Sequence, residues 1–230
     1  QSSVNLQLIP EGSVFKPGLP FSFLVVTETP DNKPVDAKVD ATVTYSNSKF
    51  ETIKTDKKTL QTVKGKAILD ITPPEGAIAL SIDAFELTPV SSVQPARANK
   101  VLQASYSPSG NFIHVEQSSE GIPKVGQKIV FNINSTNRAV NFYYEVIARG
   151  KVVFSAYTTN KEISFSTTPL MSPTSKLLVY QILPNSEVAA DFLPFNVEAA
   201  YPQVVTAEFN KTEAKPGEEV QLNITTQGQA

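Results

Sequence analysis

The stretch Val125–Thr136, VGQKIVFNINST, has two relatives in the same chain: Pro17–Thr27, PGLPFSFLVVT, and Pro216–Thr226, PGEEVQLNITT. Each copy has a lysine two residues before its glycine, at Lys16, Lys124 and Lys215. Counted from Gly18, Gly126 and Gly217, the third, fifth and seventh residues are Phe21, Phe23, Val25, then Ile129, Phe131, Ile133, then Val220, Leu222, Ile224. All nine are apolar in a chain that is 40% apolar, a coincidence expected by chance roughly three times in ten thousand. A spacing of two puts such side chains on one face of a strand, and the glycine supplies the turn that enters it. The copies lie about 100 residues apart, which is too far for a solenoid repeat and right for successive β-sandwiches.

Outward from these copies the chain keeps the same character. Its 17 prolines and 10 glycines separate short runs rich in Val, Ile, Thr, Phe and Tyr, and no window of a dozen residues holds a helical apolar stripe. The cleanest run places Val35, Ala37, Val39, Ala41, Val43 and Tyr45 at alternate positions with polar residues between them, so one face is buried and the other wet. Lys54–Lys58 is polar and basic, and reads as a solvated loop rather than an anion patch. Strands follow through Ala67–Ile71 and Ile78–Ala84, and the segment from Val90 to Gln103 closes the unit. After the turn-rich Tyr106–Gly110 the plan repeats. It runs through Phe112–Glu116, the organising stretch, Phe142–Ala148, a hairpin at Arg149-Gly150, Ile163–Phe165 and a closing pair around Pro184–Glu187. Pro169–Pro173 stands where Pro73-Pro74 stood before.

The expected fold is all-β: tandem seven-stranded antiparallel β-sandwiches, one over residues 1–103 and one over 104–200, with 201–230 supplying the first two strands of a truncated third. Each full unit is long enough to bury its own core. The net charge of -2 gives no support to nucleic-acid binding or anionic membranes. No apolar run approaches the length of a membrane span, and Gln1 opens directly on strand-like sequence, as in a mature or internal segment. The absence of cysteine leaves neither a disulfide framework nor a thiol or zinc site.

Enzyme chemistry finds nothing to stand on. The one histidine, His114, alternates with Ile113 and Val115 and has only Glu116 near it in sequence, too few partners for a ligand set or a base. Acidic residues are scattered rather than grouped as calcium loops, and no phosphate loop or nucleophile elbow is present. Neither a catalytic residue, a metal nor a cofactor is therefore expected. What remains is three Asn-x-Ser/Thr sequons, at Asn134, Asn210 and Asn223. Since Ile133, Phe209 and Ile224 are read as inward, all three asparagines face solvent and are candidate glycosylation sites.

The second unit carries a family resemblance. Ser107-Pro-Ser-Gly-Asn-Phe-Ile-His-Val-Glu, Lys124-Val-Gly, Phe142-Tyr-Tyr-Glu-Val-Ile-Ala-Arg-Gly and Leu178-Val-Tyr-Gln-Ile-Leu-Pro-Asn-Ser-Glu-Val-Ala-Ala-Asp resemble the fifth macroglobulin domain of the α2-macroglobulin and thioester-containing protein family. The first unit is then similar to the fourth domain, and residues 201–230 resemble the opening strands of the sixth. The resemblance implies an extracellular parent, secreted or membrane-anchored, whose macroglobulin domains form a ring that rearranges when a protease cuts a bait region. Neither the Gly-Cys-Gly-Glu-Gln thioester motif nor a bait-like flexible stretch occurs in these residues. Asn185-Ser186 also departs from the Asp-Gly frequent in that hairpin. This segment is thus expected to be non-catalytic scaffold. Its partners would be neighbouring macroglobulin domains of the same parent, with proteases or surface receptors as partners of the whole. A complement-like or cell-surface recognition branch is one alternative, and a generic extracellular adhesion stalk with small end-to-end junctions is another.

Overall fold

A computed structural model describes residues 4–87, 94–200 and 204–227. The strands of the first sandwich are β1 (Asn5–Pro10), β2 (Val14–Phe15), β3 (Phe21–Glu28), β4 (Lys38–Ser46), β5 (Thr52–Gln61), β6 (Lys66–Ile71), β7 (Ala79–Glu86) and β8 (Arg97–Ala104). Those of the second are β9 (Ile113–Gln117), β10 (Lys128–Ser135), β11 (Phe142–Ala148), β12 (Lys151–Thr158), β13 (Glu162–Ser166), β14 (Thr174–Ile182) and β15 (Val188–Asn196). A hairpin of β16 (Val204–Phe209) and β17 (Leu222–Gln227) follows. The only helix among the described residues is one 3-10 turn, Pro169–Met171. The all-β tandem sandwich expectation holds, but the first sandwich departs from seven antiparallel strands by an eighth, the two-residue β2, which pairs parallel to β8.

The first sandwich faces a β1-β3-β6 sheet against a β2-β8-β7-β4-β5 sheet, and the second faces β13-β10-β9 against β12-β11-β14-β15. Alternation explains both cores. Phe21, Phe23 and Val25 of β3 and Val39, Ala41, Val43 and Tyr45 of β4 point into one cluster. Ile129, Phe131 and Ile133 of β10 and Phe142, Tyr144 and Val146 of β11 point into the other. Phe23 and Phe131 are wholly buried, each contributing about 2–3 kcal/mol of apolar burial.

The repeat extends to strand register. Phe21 lies opposite Ile71 and Phe23 opposite Leu69; one copy later Ile129 lies opposite Phe165 and Phe131 opposite Ile163. On the other side Leu8 faces Val25 as Val115 faces Ile133. The corners match too. The N–H of the residue after each glycine donates to the lysine carbonyl: Leu19 to Lys16 at 3.2 Å, Gln127 to Lys124 at 2.9 Å, Glu218 to Lys215 at 3.0 Å. The glycines have φ of 84°, 90° and 86°. That is a type II turn, which demands positive φ at its third residue.

Two expectations of the sequence need correction here. The polar run Lys54–Lys58 is no loop but the middle of β5, a ten-residue edge strand paired with β4. Strand geometry there comes from backbone pairing, and the exposed lysines suit an edge because they discourage further strands from adding to it. Second, the third copy does not bury its stripe: Val220, Leu222 and Ile224 are 43%, 49% and 63% exposed. Among the described residues no second sheet covers either face of the β16–β17 hairpin, so alternation there does not divide inside from outside. The strand closing the first sandwich runs from Arg97 to Ala104, and the part of the expected segment at Val90–Val93 lies outside the described residues.

Candidate functional site

β9 and β15 are edge strands of opposite sheets, and they meet along one flank of the second sandwich. A sandwich is open along such a seam, because the backbone groups of the two edges point at each other without a ladder to join them. Asp191 closes part of it. The inward positions of β15 run Ala189, Asp191, Leu193, Phe195, so a carboxylate stands in an apolar alternation. Its Oδ2 accepts the Val115 N–H of β9 at 2.8 Å.

The first sandwich supplies the rest. Its corner turn projects Lys16 onto this flank, where Nζ donates to the Ile113 carbonyl of β9 and to the Ala190 carbonyl of β15 at 3.3 Å. The same Nζ lies 3.0 Å from Asp191 Oδ1. One ammonium from the first body thus holds both edges of the second, and the ion pair is about four-fifths buried, with side-chain exposures of 20% and 18%. A mostly buried charge is tolerable only when paired and hydrogen-bonded, which both groups are.

His114 lies beside this clamp. Nδ1 is 3.5 Å from Asp191 Oδ2, and Nε2 is 3.4 Å from Glu116 Oε1 and 3.6 Å from Glu11 Oε2 of the first sandwich. Nε2 is buried and makes no hydrogen bond. Burial disfavours the charged ring, but contact with Asp191 and the negative charges of Glu11, Asp191 and Glu116 outweigh it and raise its pKa above the ordinary value. Burial is also the largest influence on Glu11, and it raises that carboxyl despite His114 and the Ser22 N–H, which Oε1 accepts at 2.7 Å. For Asp191 burial is outweighed by His114, Lys16 and the Val115 N–H, so its pKa is lowered. A cleft of ≈ 540 Å³ opens next to these groups, between Val14 and Phe21 on one side and Leu178 and Phe192 on the other.

The connector between the bodies is short and anchored at both ends. Ser105 N–H donates to Phe15 O at 2.7 Å, and Ser107 Oγ donates to Glu187 at 2.7 Å. Tyr106 between them is 88% exposed. The contact is therefore between one end of the first sandwich and one flank of the second.

Sequence reasoning set His114 aside, read Lys16 only as the lysine of the repeat, and gave Glu11 and Asp191 no role. The readable signal was Asp191, the one acid on the inward stripe of β15. The sequons fall in two places, Asn134 on the second sandwich and Asn210 with Asn223 on the β16–β17 hairpin. Asn134 is half-buried on β10, directly across from His114. Asn210 and Asn223 are exposed on the hairpin, and Asn210 Oδ1 accepts the Gln221 N–H at 2.9 Å. The inward neighbour assumed for Asn223, Ile224, is itself exposed. No group of three or more His, Cys, Asp or Glu side chains among the described residues has the geometry of a metal site.

Residues 113–230 match the family model of the alpha-2-macroglobulin bait region domain. The chain is similar to complement C3 of Eptatretus burgeri, 28% identical over 194 residues, which cover 80% of this chain and 12% of that protein. It is also similar to a venom factor of Crotalus adamanteus, 27% identical over 192 residues, which cover 77% of this chain and 11% of that protein. The native conformation of E. coli alpha-2-macroglobulin aligns with 97% of this chain and 18% of its own at 14% identity, with a TM-score of 0.35. This chain spans about an eighth of the length of the curated relatives it matches. No helix among the described residues is long and apolar enough to cross a membrane. The chain belongs to the α2-macroglobulin and thioester-containing protein family.

Proposed function

We propose that this chain is a non-catalytic scaffold segment of an extracellular parent protein that acts in protease trapping or innate immune tagging. The observation that carries the reading is the Lys16–Asp191 clamp. A lysine from one sandwich locked across the open seam of the next makes their relative placement a feature of the parent, as a scaffold that transmits rearrangement requires. We place the units at 1–103, 104–200 and 201–230, as macroglobulin domains four and five and the opening of six. Their partners are the neighbouring macroglobulin domains of the same parent, with proteases or surface receptors engaging the whole. The sequon asparagines suit glycans in a secreted protein: Asn210 and Asn223 are exposed, and one at Asn134 would sit beside the junction.

The test uses the parent protein with and without Lys16→Met and Asp191→Asn. Incubated with an endoprotease, the unaltered parent retains the protease in a complex that resists denaturant, and the double variant retains less. A parent that leaves all protease free and deposits on no surface overturns the reading. A complement-like recognition branch is the second reading, favoured by the likeness to complement C3 of two organisms, Eptatretus burgeri and Lethenteron camtschaticum. Covalent deposition on a surface without protease retention would select it.

A further inference from the structure

The junction holds more negative than positive charge, and one titratable group decides how well it is balanced. Among the described residues, every charged side chain facing His114 belongs to one of four places. Glu11 lies in the turn after β1, Lys16 lies at the corner before β3, Glu116 is on β9, and Asp191 is on β15. Glu116 also borders a hollow whose first-sandwich wall carries Lys54, Asp56, Lys58 and Asp70, two of each sign. With a neutral imidazole, three carboxylates converge on a single ammonium. A proton on the ring places a second cation at their centre, within 3.4 to 3.6 Å of an oxygen of each.

Only one of those carboxylates, Glu11, comes from the first sandwich. The charged ring therefore joins the two bodies, where the neutral ring leaves Glu11 facing Glu116 and Asp191 with Lys16 alone to offset them. The covalent tie would permit movement, since the chain between the anchored residues Ser105 and Ser107 is the single exposed residue Tyr106. We propose that protonation of His114 locks the angle between the two sandwiches, and that loss of this proton frees them to pivot about Tyr106.

The direction with pH follows from the sign of each shift. His114 has a raised pKa, so its contribution is complete below 6.5 and is lost as pH rises through the raised value. Asp191 has a lowered pKa, so its contribution is present above 3.8 and is lost only as pH falls through the lowered value. Glu11, raised by burial, contributes when protonated, below 4.5, and loses that contribution as pH rises through its raised value, which leaves the charged ring as its partner in mildly acid solution. The contributions of His114 and Asp191 are therefore complete together between 3.8 and 6.5, and the His114 part is lost as pH rises above that window.

The chain has no cysteine and a single histidine, which makes both halves of the test clean. Spin labels at Ser48→Cys and Thr159→Cys, exposed positions in the first and second sandwich, report the distance between bodies across about pH 5 to 8, where histidine changes charge. The imidazole proton resonance reports the ring itself. The expected result is a narrow distance distribution at the acid end that broadens with the same midpoint as the ring, above 6.5. His114→Gln is broad throughout and loses the pH dependence. Glu11→Gln, which leaves β9 and β15 untouched, moves both midpoints down together. A distribution that ignores pH while the ring titrates overturns the proposal. So does a transition that survives His114→Gln, or a ring midpoint unmoved by Glu11→Gln.

Discussion

The corner at Lys16 and the corner at Lys124 are the same local structure with different fates. Both are type II turns closed onto the lysine carbonyl, both have a left-handed glycine, and both feed a strand whose alternate residues are buried. Even the glycine N–H finds an equivalent partner, Pro73 O at 2.8 Å in one and Thr167 O at 2.9 Å in the other. Yet Lys16 is mostly buried against a second body, and Lys124 is exposed. The lesson is that turn and core are encoded within the repeat, whereas docking is encoded by whatever lies across from it. Asp191, an acid on the apolar stripe of β15, decides that Lys16 has somewhere to go.

If the two corners are equal in their cores, they should fail equally. Phe23→Ala and Phe131→Ala each remove a wholly buried ring and are each expected to cost about 3–5 kcal/mol. The effects should read as loss of amide-exchange protection in β3 and β10 respectively. Leu222→Ala, at the same position of the third copy but 49% exposed, is expected to change stability by less than about 0.5 kcal/mol. A large cost at Leu222 would mean that the hairpin is covered in solution.

Docking is where the corners should part. Lys16→Met strands Asp191 in a site that is about four-fifths buried, and after allowance for the remaining exposure it is expected to cost about 2 kcal/mol. The Val115 amide, bonded to that carboxylate, should exchange faster. Lys124→Met is expected to stay within about 0.5 kcal/mol, and equal costs at the two lysines would erase the distinction drawn between them.

Much of the sandwich plan was legible because a half-buried strand writes its inside and outside in alternate letters. Val39 to Tyr45 and Ile129 to Ile133 can be read straight off the chain, and their burial follows. The same rule misread two regions. In β5 the positions opposite inward Tyr45, Val43, Ala41 and Val39 carry Lys54, Asp56, Lys58 and Leu60, of which Leu60 alone is apolar and packs on the core, so the pattern is broken although backbone pairing with β4 keeps the strand. In the hairpin the pattern is present, but none of the described residues packs on it. The junction was less legible still. Glu11 and Lys16 are distant in sequence from His114 and from Asp191, and each of the four by itself looks like an ordinary solvated charge. Only register, which sets Asp191 inward and opposite Val179, marks one of them as out of place.

The finest division between the corners lies in their glycines. Gly18→Ala and Gly126→Ala both force a β-carbon into the left-handed region, at φ of 84° and 90°, which is expected to cost about 1–2 kcal/mol each. Around Gly126 a β-carbon meets open space, whereas at Gly18 it would lie 3.5 Å from Thr136 of the second sandwich and 3.4 Å from Glu75. These are touching distances rather than clashes, so equilibrium unfolding should place the two alanine variants close together. The methyl at Gly18 nevertheless enters the space between the bodies. Gly18→Ala alone should therefore alter the exchange of amides near Thr136, such as Phe112 N–H, which donates to Thr136 Oγ1 at 2.8 Å. An equal change at that amide in Gly126→Ala would mean that strain spreads along β10 from its own corner, and that the first corner holds no special place at the interface.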